Sequence, residues 1–165
     1  MTFLFSSKLT ISSIIHPNYS KTQNEFYDIA ILNLKEDIGS QLGFAALSLI
    51  DPSQINLSLF RVHVAGFPAS KTFRSYFFQQ ERCLYDMEGS IIQLDDKKIY
   101  YDIDTSGGQS GAGIWNLQTV GERLEDQIML CYGIHTQGMD GIKKGNSDVR
   151  FTQEIMDFIF KNAKI

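Results

Sequence analysis

The sequence predicts an all-β chain that ends in one helix, and three observations point that way. Short runs rich in Ile, Val, Phe, Tyr and Leu recur along the 165 residues, separated by Gly, Asn, Asp and Ser, which are strand and turn signals. Nowhere does a strand-like run alternate with a long helical one, as a βαβ chain would require. Helical spacing of apolar residues appears only at the end, where Ile155, Met156, Ile159 and Phe160 fall on one face behind Thr152, a suitable cap. Many short strands and one helix suggest a barrel or sandwich.

Taken in order, residues 8–15 and 28–34 read as the first two strands, through Leu9, Ile11 and Ile14 in one and Ile29, Ile31 and Leu34 in the other. Residues 35–54, with Gly39, Gly43, Pro52 and mixed polarity, read as a connector between two β units. Further strands are expected at 57–67, 76–83, 89–94, 98–103, 113–116 and 128–135, each built on β-branched or aromatic residues. The segment 118–127, with Glu122, Arg123, Glu125 and Asp126, reads as an exposed polar loop. A short strand at 148–151 then leads into the helix at 152–161.

Composition narrows the function classes. A net charge of −4 with no basic cluster offers nothing for a phosphate backbone, so nucleic-acid binding is not expected. No stretch approaches the ~20 consecutive apolar residues of a membrane-spanning helix, and the opening residues lack the basic start and cleavage site of a signal peptide. Cys83 and Cys131 are too few and too far apart for a metal knuckle and read as free buried thiols. No metal or organic cofactor is implied.

The segment with the clearest chemistry is Tyr101-Asp102-Ile103-Asp104-Thr105-Ser106-Gly107-Gly108-Gln109-Ser110-Gly111-Ala112-Gly113. It reads as a serine nucleophile, Ser110, in a glycine-rich turn after a hydrophobic strand. A serine hydroxyl needs a base to become nucleophilic, and the oxyanion formed on attack needs aimed N–H donors. The amides of Gly108 and Ser110 are the candidates. An α/β-hydrolase elbow fits poorly, because Gly108-Gln109-Ser110-Gly111-Ala112 ends in Ala and runs into another strand rather than a helix. The order Asp28 before Ser110 instead matches serine proteases in which the aspartate precedes the nucleophile. Taken singly, Asp28 reads as a strand-start carboxylate and Ser110 as a turn serine.

Together these pieces resemble the trypsin-like serine peptidases, and within them the bacterial glutamyl endopeptidase branch. His16-Pro17-Asn18-Tyr19 followed by Tyr27-Asp28-Ile29-Ala30 resembles the approach to the catalytic aspartate. Val64-Ala65-Gly66-Phe67-Pro68 is similar to a strand end of the family, and Thr105 through Gly111 to its nucleophile loop. Gly133-Ile134-His135 matches the strand that lines the specificity pocket, and Val149-Arg150-Phe151 enters the terminal helix.

The resemblance implies a trypsin-like double β-barrel. Residues 1–50 would form an incomplete N-terminal barrel carrying Asp28, and residues 55–165 a complete C-terminal barrel carrying Ser110 and the helix. It implies a monomeric serine endopeptidase acting on polypeptides, with Ser110 as nucleophile, Asp28 supporting a histidine base, and Gly108 and Ser110 as the oxyanion hole. Thr105 and His135 would hold an acidic side chain before the scissile bond. Thr136, Gln137 and Gly138 would lie along the extended substrate, and Asp104 is a competing signal for basic specificity. The family's base sits in an Ala-Ala-His-Cys-like loop upstream of the aspartate, and no such loop precedes Asp28. The expectation is a truncated record of a longer protease, with an inactive peptide-binding relative as the alternative.

Overall fold

A computed structural model of the chain describes residues 10–68, 83–121, 123, 126–137 and 146–163. Its contacts divide it into two units, residues 45–152 and residues 1–44 together with 153–165.

The unit of residues 45–152 is a closed barrel. Its strands are β3 (Ala46–Leu47), β4 (Arg61–Gly66), β5 (Tyr85–Leu94), β6 (Lys98–Tyr101), β7 (Gly113–Thr119), β8 (Gln127–Gln137) and β9 (Asn146–Arg150), taking β1 and β2 to be the strands of the other unit. The order β8-β7-β4-β5-β6-β9 closes on itself through an antiparallel β8–β9 pairing, and β3 adds to β8 in parallel. Closure gives each of those six strands a neighbour on both sides around the ring. Alternation sends one face inward. Val62 and Val64 of β4 are fully buried, joined by Ile91, Ile99, Tyr101, Ile103, Ile114 and Tyr132 in one core. The intervening residues decorate the outside, where Arg61 pairs with Glu88 at 2.9 Å and His63 stacks on Trp115 with ring centroids 4.6 Å apart.

The other unit holds β1 (Thr10–Ile15) paired antiparallel with β2 (Ala30–Leu34), helices α1 (Pro17–Thr22) and α2 (Gly39–Leu42), and the terminal helix α3 (Gln153–Asn162). Pro17 opens α1, where its missing N–H costs nothing, and His16 caps it by accepting the Asn18 amide at Nδ1, 3.2 Å away. The His16 ring lies between Tyr27 and Phe158, at 4.6 and 4.5 Å between centroids.

The all-β architecture and the terminal helix agree with expectation, while several boundaries shift. The strand expected at 57–67 begins at Arg61, because Leu57–Leu59 forms a 3-10 turn capped by the Asn56 side chain. The strand expected at 89–94 extends back to Tyr85, and that expected at 98–103 stops at Tyr101. The polar loop at 118–127 is shorter than expected, since β7 runs to Thr119 and β8 starts at Gln127. The connector 35–54 contains α2 and β3. The strand expected at 76–83 lies outside the described residues except for Cys83, which precedes β5 without belonging to a strand.

Candidate active site

The turn between β6 and β7 is braced from below by a side chain. Gln109 is almost fully buried, and its Oε1 accepts the Ser106 amide at 2.7 Å while its own amide donates to the Ser106 carbonyl at 3.2 Å. Gly66, at the end of β4, makes room for it: a Cβ there would sit 3.1 Å from both Cβ and Cγ of Gln109. The turn is tied to β8 by two backbone bonds of 2.8 Å, from Gly111 N–H to the His135 carbonyl and from His135 N–H to the Ala112 carbonyl. Gly108 and Gly111 take φ of 101° and 91°, a region that favours glycine. Between them Ser110 is exposed, and neither its amide nor that of Gly108 hydrogen-bonds among the described residues.

The same barrel holds a buried polar triangle. Tyr101 of β6, His135 of β8 and Asp148 of β9 are all at most 2% exposed. Tyr101 Oη lies 2.5 Å from His135 Nδ1 and donates to Asp148 Oδ1 at 2.6 Å, while His135 Nδ1 is 2.9 Å from the same oxygen. The Thr136 amide also donates to Oδ1, at 3.3 Å. Burial and the Asp148 charge push the Tyr101 phenol far above its ordinary range. Burial pushes the Asp148 carboxyl up as well, opposed by its donors His135, Tyr101 and Thr136. Asp148 Oδ2, Thr105 Oγ1 and Thr136 Oγ1 are buried without hydrogen-bond partners among the described residues.

The barrel thus brings together Thr105, Gly108, Ser110, His135 and Thr136 on β8 and the turn that bonds to it. Asp104 is exposed, unlike the buried carboxylate Asp148. Gln137 pairs with Ser147 through its backbone, and Gly138 lies outside the described residues. Asp28 belongs to the other unit, where it closes the 3-10 turn Glu25–Tyr27 with its amide on the Glu25 carbonyl. Each of the three histidines has ring partners of its own: His16 in its cap and stack, His63 with Asp86 at 3.1 Å and Trp115, and His135 with Tyr101 and Asp148. Sequence reasoning did not single out Gln109, Tyr101 or Asp148. Asp148 stands in the closing strand Asn146–Arg150, where Val149 is the one apolar residue, so no local signal set it apart.

The wider comparisons agree with the fold. No protein-family model matches the chain. The glutamyl endopeptidase of Bacillus licheniformis is 26% identical over 141 residues, 86% of this chain and 40% of that protein. The glutamyl endopeptidase of Staphylococcus epidermidis is 25% identical over 140 residues, 82% of this chain and 42% of that one. A solved Glu endopeptidase structure, 22% identical, superposes with a TM-score of 0.70 over 92% of this chain and 62% of its own. The chain is a relative of the trypsin-like serine peptidases. The closed barrel carries the serine turn between β6 and β7. The chain spans about two fifths of the length of the curated relatives it matches.

Proposed function

We propose that these residues are the nucleophile-bearing part of a serine endopeptidase. Ser110 Oγ attacks the scissile carbonyl, a base takes its proton, and the amides of Gly108 and Ser110 stabilise the oxyanion. Collapse expels the amine and leaves an acyl-enzyme that water hydrolyses. Asp28 orients the base, and the edge at Thr136, Gln137 and Gly138 pairs main chain to main chain with the substrate. Thr105 and His135 receive an acidic side chain before the scissile bond, since a hydroxyl and an imidazole N–H suit a carboxylate. The exposure of Asp104 counts against a preference for Lys or Arg.

The observation that carries this proposal is the exposed Ser110 on a turn braced by Gln109, beside two unengaged amides. The base is a separate matter. Because His16, His63 and His135 are each engaged elsewhere, we infer that it comes from outside these 165 residues. The same engagement supports a second reading, a non-catalytic relative that holds a peptide along β8.

Labelling with an active-site phosphonate, on the protein isolated from its source and with its intact mass measured, tests both. Modification of Ser110, absent in Ser110→Ala, together with cleavage after Glu, is the expected result. An unlabelled protein that binds peptides without cutting them would replace the protease with the binding module.

A further inference from the structure

The triangle of Tyr101, His135 and Asp148 has no part in acyl transfer as set out above, yet it places three ionisable groups in a barrel core where burying charge is costly. Its geometry shows what offsets that cost. Asp148 Oδ1 collects the Tyr101 hydroxyl at 2.6 Å, the Thr136 amide at 3.3 Å and His135 Nδ1 at 2.9 Å. Burial favours the acid, and three donors on one oxygen oppose it by favouring the ionised carboxylate. Oδ2 is buried without a partner among the described residues, so the anion depends on those donors. Of the three, His135 is the one able to carry a compensating positive charge. The other titratable groups nearby are Tyr101 on β6 and Cys131 on β8, and burial keeps both protonated. With Nδ1 committed to the triangle, Nε2 makes no hydrogen bond among the described residues. The His135 backbone is meanwhile fixed beside the serine turn.

We propose that Asp148 is a positioning residue that determines specificity. It holds His135 as an imidazolium with Nδ1–H turned inward, so that Nε2–H is a donor for the carboxylate of a Glu or Asp side chain before the scissile bond. Without Asp148 no anion faces Nδ1 to favour the imidazolium, and a neutral ring offers Nε2–H to a carboxylate in one of its two tautomers alone. The substrate half of this proposal rests on the serine-endopeptidase reading, whereas the charge state of His135 does not.

The test uses the protein isolated in full, with its histidines labelled with nitrogen-15 and the His135 signal identified by its loss in His135→Gln. Both ring nitrogens protonated at neutral pH in the unaltered protein is the expected result, and a singly protonated ring overturns the proposal whatever any cleavage assay gives. In a Ser110→Ala background, a peptide ending in Glu should bind on the order of ten-fold more tightly than one ending in Gln, since a charged acceptor strengthens the bond. Adding Asp148→Asn should reduce that ratio to about two-fold or less. Tyr101→Phe, a milder change that keeps the pair, should lower it only partly. A ratio unchanged by Asp148→Asn overturns the role in specificity. An intact imidazolium with no phosphonate labelling and no peptide binding overturns the protease reading and the substrate role together, a pattern distinct from loss of the charge pair.

Discussion

Gly66 lies outside the serine turn, yet its missing side chain makes room for Gln109, which braces that turn. A methyl group there would press on Cβ and Cγ of Gln109 at 3.1 Å and on its Cα at 3.3 Å, and Gln109 carries the bond that fixes the Ser106 amide. Gly66→Ala should therefore cost about 1–3 kcal/mol, the usual range for overpacking, and should slow phosphonate labelling of Ser110 beyond what the lost stability explains. Gly107→Ala is the control, since its Cβ would meet nothing within 4 Å. Equal labelling rates in the two variants would show that Gln109 does not brace the turn. The glycine-rich turn around Gly108 and Ser110 was legible in the sequence because glycine spacing is a local signal. Gln109 sits inside the same motif but was not read, because the space it fills is made by Gly66 on another strand. Tyr101 and Asp148 were not legible either: they lie 34 and 13 positions from His135, and only the barrel's register brings them to it.

At the scale of elements, the barrel depends on how closely β8 and β9 approach. Gly133 pairs with Arg150, and a Cβ on it would lie 2.5 Å from the Val149 carbonyl oxygen, a backbone atom with no rotamer to relieve the clash. Gly133→Ala should lower the urea midpoint by the equivalent of roughly 2 kcal/mol or more. A midpoint within error of the unaltered protein would mean that the closing pair tolerates separation. The strands were readable because inward Val, Ile and Tyr alternate with outward polar residues, as in β4. The first half of β5 was missed because Asp86 and Glu88, which face outward, made the segment look like a loop, although Tyr85 and Met87 keep the alternation. Helix α1 gave no periodic signal at all. None of its six residues is buried, so its start is set by His16 and Pro17 rather than by an apolar face.

Over the whole molecule, the two units differ in how their backbone is secured. In the barrel, β4 is paired on both sides, to β5 and β7, and its Val62 and Val64 are completely buried. In the other unit the described sheet has two strands, with Ile15 and Leu32 about half exposed at 52% and 60%. A two-stranded sheet gains little stability from its own pairing, whereas a closed barrel opens only when several ladders break together. Amides of β4 should therefore exchange with solvent at least about a hundred-fold more slowly than those of β1 and β2, a gap of roughly 3 kcal/mol in opening free energy. Cys131 provides an independent readout. It is buried on β8, and burial pushes its thiol up, away from the reactive thiolate. Alkylation of Cys131 in the native protein should therefore keep pace with exchange in β4 rather than with exchange in β1 and β2. Matching exchange rates in the two sheets, or rapid alkylation of Cys131 while the β4 amides stay protected, would show that the barrel does not open as one cooperative element.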